Sequence, residues 1–245
     1  MVQVEGLRRT VAKNNWRGIG VDIDHSICDS GPVWDAPMQQ FCERVAWECG
    51  VSSAEVWGLW RNMNDDIYLT SGGVHPSKYH RMGMRIASKY GLDFERARQW
   101  VGEMRRQIYS AVPELYPKTR ETLAILREVG LLRIFVTHAP VGLTSMRLRT
   151  WGFEEIPAFS ESTLRQKDGA TWVNAVAKLG LKPQEMIAVG DSWPGDIEAA
   201  GKAGITARVW IRPKWKILEG KGKKEEVPTI DDIGQLVQAI IDNFG

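Results

Sequence analysis

Two patterns of hydrophobic and polar positions divide this chain. Short apolar runs bounded by glycine or polar residues indicate buried strands at residues 17–22, 131–136, 186–189 and 205–211. Between the later runs, apolar residues recur at every third or fourth position, which indicates amphipathic helices. Such alternation predicts an α/β fold, in which a Rossmann-like parallel sheet carries helices on both faces.

The remaining elements of this part follow from the same spacing. We predict helices at residues 117–129, 143–151, 169–179, 194–203 and 230–244, and a weaker strand at 156–160. Residues 1–16 show no clear period, and we expect them to lie on the surface.

Residues 31–111 show helical spacing only. A first helix ends at Gly50, a second begins with a capping box at Ser52 and Glu55, a third begins at Pro76 and a fourth follows Asp93. Phe94 belongs to the apolar face expected for the last of these. We therefore predict a core formed by residues 1–30 and 112–245, and a four-helix cap subdomain, residues 31–111, inserted after the first core strand.

Composition narrows the class of protein. A chain of 245 residues with 43% hydrophobic and 25% charged residues is typical of a globular protein. The net charge of +2 gives no global field that would attract nucleic acid or an anionic membrane. Three cysteines indicate a reducing compartment, and no apolar run approaches the length of a membrane span. We expect a cytoplasmic protein, monomer or homodimer, and interpret the basic stretch 212–224 as a solvated loop.

Polar groups follow the predicted strands and precede one predicted helix. Asp22 and Asp24 come after the first strand, Thr137 follows residues 131–136, and Lys167 stands just before a helix. The strand at 186–189 leads into Gly190-Asp191-Ser192-Trp193-Pro194-Gly195-Asp196. Because ligands of open parallel sheets bind beyond the carboxyl ends of the strands, we expect these groups to share one edge.

This set of groups suits a divalent cation and a phosphoryl group. Mg²⁺ prefers carboxylate oxygens and would relieve the repulsion among Asp22, Asp24 and Asp191. Asp22 is then a candidate nucleophile and Asp24 a candidate proton carrier. Thr137 and Lys167 would hold the phosphoryl oxygens. Taken singly, each group also fits a simpler role: an Asp-rich turn, a turn threonine, a surface lysine or a Pro-Gly turn.

In combination these motifs resemble the haloacid dehalogenase superfamily. Its first motif matches Asp22-Ile23-Asp24-His25-Ser26, its second Thr137, its lysine Lys167, and its last Gly190, Asp191 and Asp196. The segments 114–117 and 200–205 resemble the phosphoglycolate-phosphatase-like branch, in which a helical cap lies between the first and second motifs.

The resemblance assigns roles to these residues. It implies that Asp22 is the nucleophile and a Mg²⁺ ligand, and that Asp24 is the acid/base whose backbone carbonyl also binds the metal. Asp191 would be the third protein ligand, and Asp196 would orient the metal shell or Lys167. The second aspartate of the first motif, Asp24, is absent from the dehalogenases of this superfamily and therefore favours phosphate chemistry.

The sequence departs from the family pattern at three positions. His25 stands where glycine is usual, His138 where asparagine or a small polar residue is usual, and Asp168 where proline commonly follows the lysine. The two histidines would either support the site and contact substrate or simply fill space. In the cap, the polar residues around the long loop, among them His75, are candidate substrate contacts.

From these observations we expect a Mg²⁺-dependent phosphomonoesterase that acts on a small phosphorylated metabolite through an aspartyl-phosphate. Two alternatives stay open at this point. A sugar-phosphate phosphomutase would use the same two aspartates but return the phosphoryl group to its substrate. A catalytically silent binding domain would keep the fold without the reaction.

Overall fold

The computed structural model describes residues 2–71, 77–160, 167–220 and 225–245. The chain divides into two compact units. One unit contains Met1–Asp29, Glu114–Ser162 and Lys167–Gly245, and the other contains Ser30–Pro113. The first is called the sheet unit below and the second the helical unit.

The described residues form eight strands and ten α-helices. The strands are β1 (Gly18–Val21), β2 (Cys28–Asp29), β3 (Glu114–Leu115), β4 (Leu132–Thr137), β5 (Ala158–Ser160), β6 (Met186–Gly190), β7 (Ala207–Ile211) and β8 (Thr229–Ile230). The α-helices are α1 (Val2–Lys13), α2 (Gly31–Cys49), α3 (Ser53–Ser71), α4 (Lys78–Tyr90), α5 (Phe94–Ser110), α6 (Thr119–Glu128), α7 (Val141–Trp151), α8 (Gly169–Lys178), α9 (Ala199–Lys202) and α10 (Leu236–Phe244). Single 3₁₀ turns cover Pro183–Glu185, Lys216–Glu219 and Ile233–Gln235, and a π-helical turn covers Trp193–Glu198.

The sheet unit is built on a six-stranded sheet in the order β5-β4-β1-β6-β7-β8. Every neighbouring pair in it is parallel. The α/β class predicted from the alternating pattern is therefore confirmed. Because β1 lies between β4 and β6, the carboxyl ends of these three strands lie side by side, and the polar residues that follow them reach the same edge.

Strand β1 owes its central place to its composition. All four residues of Gly18-Ile19-Gly20-Val21 are buried. A Cβ atom on Gly20 would lie 2.6 Å from Cε of Met186 and 2.7 Å from Cζ3 of Trp172. Glycine is therefore needed here, because the Trp172 side chain from α8 packs directly over the strand.

The helical unit contains α2, α3, α4 and α5, in agreement with the four predicted helices. Its core includes the fully buried side chains of Val45, Met82 and Ile86. The side chain of Asp93 accepts a hydrogen bond from the backbone N–H of Arg96 and so caps α5, as its position in the sequence predicted. Phe94, expected on the apolar face, is instead 56% exposed, because it is the first residue of that helix and lies beyond its buried stripe.

Two local predictions are wrong, and one pair of short strands was not predicted. Residues 1–16, expected on the surface, contain helix α1, in which Leu7, Thr10 and Val11 are buried. The final helix begins at Leu236, and Ile230 belongs to strand β8 at the sheet edge. The two-residue strands β2 and β3 form a small antiparallel ladder, which is too short to leave a period in the sequence. Within the described residues, no helix is both long enough and apolar enough to span a membrane.

Candidate active site

Asp22 is the first residue after β1 and lies in the middle of the sheet edge. Its backbone N–H donates a hydrogen bond to the carbonyl of Val189 in β6 over 2.9 Å, which extends the strand pairing by one residue. Its side chain is buried, with only 5% of the residue exposed. The Ser26 hydroxyl donates to Oδ2 of Asp22 over 3.2 Å, so the loop after the strand supports the carboxylate.

Lys167 lies among the carboxylates as their main cation. Its Nζ is 2.5 Å from Oδ1 of Asp22 and 2.5 Å from Oδ1 of Asp196. It also donates a hydrogen bond to the carbonyl of Val136, at the end of β4, over 3.3 Å. Burial alone would lower the pKa of Lys167, but the two carboxylates outweigh it and raise that pKa, so the ammonium stays protonated.

Three buried carboxylates meet at this edge. Ligand atoms of Asp22, Asp191 and Asp196 all lie within 4.8 Å of one another. Burial raises the pKa of Asp22 and the pKa of Asp191, and it raises the pKa of Asp196 to about 7 although Lys167 opposes the shift. One ammonium is therefore too little positive charge for three acids, and a bound cation would favour their ionised forms.

The loop after β6 fixes Asp191 and Asp196 through its own backbone. The Ser192 N–H donates to Oδ2 of Asp196 over 3.0 Å, and the Gly195 N–H donates to the Ser192 hydroxyl over 3.2 Å.

Two tryptophans hold the same loop from outside. Nε1 of Trp172 donates a hydrogen bond to the carbonyl of Gly195 over 2.9 Å, and Nε1 of Trp210 donates one to the carbonyl of Asp191 over 2.8 Å. Within the described part of the chain, Oδ2 of Asp191 is buried without a hydrogen-bond partner.

Asp24 lies two residues beyond Asp22 but outside the cluster of three carboxylates. Its Oδ1 accepts a hydrogen bond over 2.8 Å from Nη1 of Arg147, an α7 residue with no exposed surface. Arg147 is not among the site residues predicted from the sequence. A signal was present, because Arg147 is four residues from both Leu143 and Trp151 and so interrupts an otherwise apolar helix face.

Thr137 ends β4 at the same edge and is 1% exposed. Its Oγ1 accepts a hydrogen bond from the Ala139 N–H over 3.1 Å, which shapes the turn into α7. His138 follows it and is partly buried. The strand register, in which Val21 pairs with Phe135, thus places Thr137 beside the Asp22 loop.

His25 occupies a position with a special backbone conformation. Its φ of 60° lies in the left-handed region that favours glycine, which explains why glycine is usual here. Burial lowers the pKa of its imidazole, although Asp24 and two other carboxylates act in the opposite direction. His25 also lines a cavity of about 370 Å³ in the sheet unit, together with Tyr116, Lys118, Arg212 and Lys214.

Asp168 caps the helix that follows Lys167. Its Oδ1 accepts a hydrogen bond from the Thr171 N–H over 2.9 Å and caps α8, which accounts for an aspartate at this position.

In the helical unit, Nζ of Lys78 donates a hydrogen bond to Oδ1 of Asn64 over 3.1 Å. His75, the candidate substrate contact, lies outside the described residues.

Comparison with known proteins gives the family. A model of haloacid dehalogenase-like hydrolases matches residues 64–204, which is more than half of the chain. The chain belongs to the haloacid dehalogenase-like hydrolases. The matched range includes Thr137, Lys167 and Asp191, and it begins after Asp22 and Asp24, whose place in this hydrolase rests on the geometry above.

Individual relatives are similar to this chain over only part of its length. The hydrolase is 34% identical over 102 residues to a phosphoglycolate phosphatase from Mannheimia succiniciproducens, covering 39% of this chain and 44% of the relative. It is 30% identical over 121 residues to a glyceraldehyde 3-phosphate phosphatase from Methanopyrus kandleri, covering 47% and 51%. The chain thus spans about half the length of these relatives.

Solved structures support the fold. A haloacid dehalogenase-like family hydrolase from Xanthomonas campestris superimposes with a TM-score of 0.70 at 15% sequence identity. The superposition covers 92% of this chain and 94% of the other. At that level of identity the likeness establishes the shared architecture and nothing about the substrate.

Proposed function

We propose that this hydrolase is a Mg²⁺-dependent phosphomonoesterase that acts on a small phosphorylated metabolite. The observation that carries the proposal is the buried group of Lys167, Asp22, Asp191 and Asp196 at the carboxyl edge of the sheet. A nucleophilic carboxylate, a fixed cation and two further carboxylates are the groups that phosphoryl transfer requires.

The acidic cluster fits a hard divalent cation. Oδ2 of Asp191 is a buried oxygen atom that accepts no hydrogen bond in the described part of the chain, and the donors of the cluster are all carboxylate oxygens. We expect Asp22 and Asp191 to hold Mg²⁺, with the backbone carbonyl of Asp24 as a further ligand and Asp196 orienting Lys167. When bound, Mg²⁺ would neutralise charge on the phosphoryl oxygens.

The reaction would proceed in two steps on this framework. A carboxylate oxygen of Asp22 attacks phosphorus and forms an aspartyl-phosphate, while the ester P–O bond breaks and Asp24 gives its proton to the departing alkoxide. Asp24 then accepts a proton from water, whose oxygen attacks phosphorus and releases inorganic phosphate from Asp22. Lys167 and Thr137 hold the phosphoryl oxygens throughout.

The substrate class follows from the relatives together with the site. Two relatives carry the names phosphoglycolate phosphatase and glyceraldehyde 3-phosphate phosphatase, and both names specify small phosphorylated metabolites. We propose that the present enzyme acts on the same class of compound, in the cytoplasm, without nucleic acid or membrane as a partner. His25 lines the cavity of the sheet unit and is a candidate contact for the substrate.

The proposal is tested by phosphate release from p-nitrophenyl phosphate and from a panel of metabolite phosphates. We expect activity that EDTA removes and Mg²⁺ restores. Asp22→Asn should lower kcat by at least about 10³-fold, because an amide cannot form the phosphoenzyme.

Asp242→Asn is the matched control, since this aspartate is exposed on α10 and accepts a hydrogen bond from Gln238. We expect wild-type activity from it. Undiminished turnover by Asp22→Asn would refute the covalent mechanism, and a wild-type protein that hydrolyses no phosphate ester would refute the proposed function.

A further inference from the structure

Helix α7 carries an arginine on its buried face. The buried residues of this helix are Leu143, Thr144, Arg147, Leu148 and Trp151. Arg147 lies in the middle of that stripe, and none of its surface is exposed. A buried guanidinium is costly unless it is paired and hydrogen-bonded, so a guanidinium at this position needs a specific partner.

That partner is the carboxylate of Asp24. Nη1 of Arg147 lies 2.8 Å from Oδ1 of Asp24, and the two side chains are 1% and 17% exposed. Helix geometry makes the contact possible, because side chains tilt toward the helix N-terminus. A long side chain from the second turn of α7 therefore reaches back toward the carboxyl edge of the sheet, where β4 ends at Thr137.

The contact also separates Asp24 from the rest of the acidic cluster. Asp22 and Asp196 are both held by Lys167, whereas Asp24 has its own cation on a different element. Asp24 is a short side chain in a loop that follows β1, and a loop carboxylate has several rotamers available. A charged hydrogen bond from a rigid, buried helix residue selects one of them.

We propose that Arg147 is a positioning residue that fixes the Asp24 carboxylate for proton transfer to the leaving group. This inference rests on the proposed function, in which Asp24 is the proton carrier. Arg147 itself does not contact the phosphoryl group in this scheme: it acts through the carboxylate it holds. Proton transfer by a positioned side chain contributes about 10²–10⁴-fold to a rate, and much of that depends on geometry.

The readout that isolates this role is the basicity of the leaving group. p-Nitrophenyl phosphate releases a stable phenolate that needs little protonation, whereas phenyl phosphate releases a much more basic one. Loss of a correctly placed acid therefore slows the cleavage of phenyl phosphate far more than the cleavage of p-nitrophenyl phosphate. A general loss of structure would slow both to the same extent.

The experiment is a double-mutant cycle of Arg147→Met, Asp24→Asn and the double variant, assayed on both aryl phosphates. We compare kcat/KM, which reports the step that expels the leaving group, because hydrolysis of the phosphoenzyme is common to both substrates. We expect Arg147→Met to lower kcat/KM on phenyl phosphate by about 10²-fold and on p-nitrophenyl phosphate by less than about 10-fold. The double variant should be no slower than Asp24→Asn alone, because the two residues act as one unit.

Controls separate positioning from folding. Arg149→Met changes an exposed arginine of the same helix and should leave kcat/KM on both substrates unchanged. Arg147→Lys keeps the charge but loses the planar fork, and we expect it to restore part of the phenyl phosphate rate. Thermal unfolding of each variant shows whether it folds, and the double variant removes both charges so that neither is left uncompensated.

The outcomes distinguish failure of the inference about Arg147 from failure of the proposed function. Equal losses of kcat/KM on the two substrates, or additive losses in the double variant, would overturn the role of Arg147 while leaving the phosphatase intact. Absence of phosphate release by the wild type would overturn the proposed function and the inference with it.

Discussion

At the scale of single residues, charge balance organises the sheet edge. Lys167 is in contact with two carboxylates and is almost fully buried, with 3% of its side chain exposed. The oxygens of Asp22, Asp191 and Asp196 would otherwise repel one another at this buried edge of the sheet. Lys167, for which the sequence position taken singly also allowed a surface role, is therefore the electrostatic centre of the site.

Replacing this lysine tests that account. We expect Lys167→Met to abolish phosphate release and to lower the free energy of unfolding by about 3–5 kcal/mol in EDTA, because buried carboxylates lose their cation. Lys216→Met, at an exposed position, is the control and should change neither quantity. Urea unfolding monitored by circular dichroism measures the difference, and an unchanged stability would contradict the charge-balance account.

At the scale of elements, the connection from β6 to α9 shows how backbone shape places two acids. The π-helical turn at Trp193–Glu198 carries Asp196 back under the strand end, where it accepts a hydrogen bond from the Ser192 N–H. Gly190 makes this possible, since a Cβ atom there would overlap the Asp196 carboxylate. The glycine therefore contributes space for the acid.

We accordingly expect Gly190→Ala to lower the free energy of unfolding by about 1–3 kcal/mol and to reduce kcat, because the added methyl group displaces Asp196. Gly58→Ala is the matched control: it lies exposed in α3 with open space around it, and should be neutral or stabilising by up to about 1 kcal/mol. Equal effects of the two substitutions in urea unfolding would show that the close contact at Gly190 has no energetic weight.

At the scale of the whole molecule, residues far apart in sequence hold the sheet unit together. Helix α1 packs beside α10: Lys13 Nζ donates to the Gly245 carbonyl over 3.0 Å, and the rings of Trp16 and Phe244 meet edge to face at 5.2 Å. The buried side of α1 includes Leu7, which has no exposed surface. The first residues thus form part of the core.

The energetic weight of this packing is measurable by urea unfolding. We expect Leu7→Ala to lower the free energy of unfolding by about 2–5 kcal/mol, because it removes fully buried methyl groups and leaves a cavity. Val2→Ala, at a residue that is 89% exposed, should cost less than about 0.5 kcal/mol. A Leu7→Ala protein as stable as the wild type would mean that α1 does not contribute to the core.

The sequence by itself determined the α/β class and the set of groups at the strand ends. Buried strands produce continuous apolar runs, and a parallel sheet must bring their carboxyl ends to one edge. Asp22, Lys167, Asp191 and Asp196 were predicted to lie near one another on that argument, and they lie in one buried cluster. Such predictions succeed because they depend on local pattern and on topology.

Only the tertiary structure decided which charges pair. The Asp24–Arg147 contact joins residues 123 positions apart, and no local period encodes such a pair. Helix α1 was missed for a related reason, since its apolar side is narrow and its burial depends on α10 at the other end of the chain. Pairing between distant elements is set by how they pack in space, and one sequence read along its length does not contain that geometry.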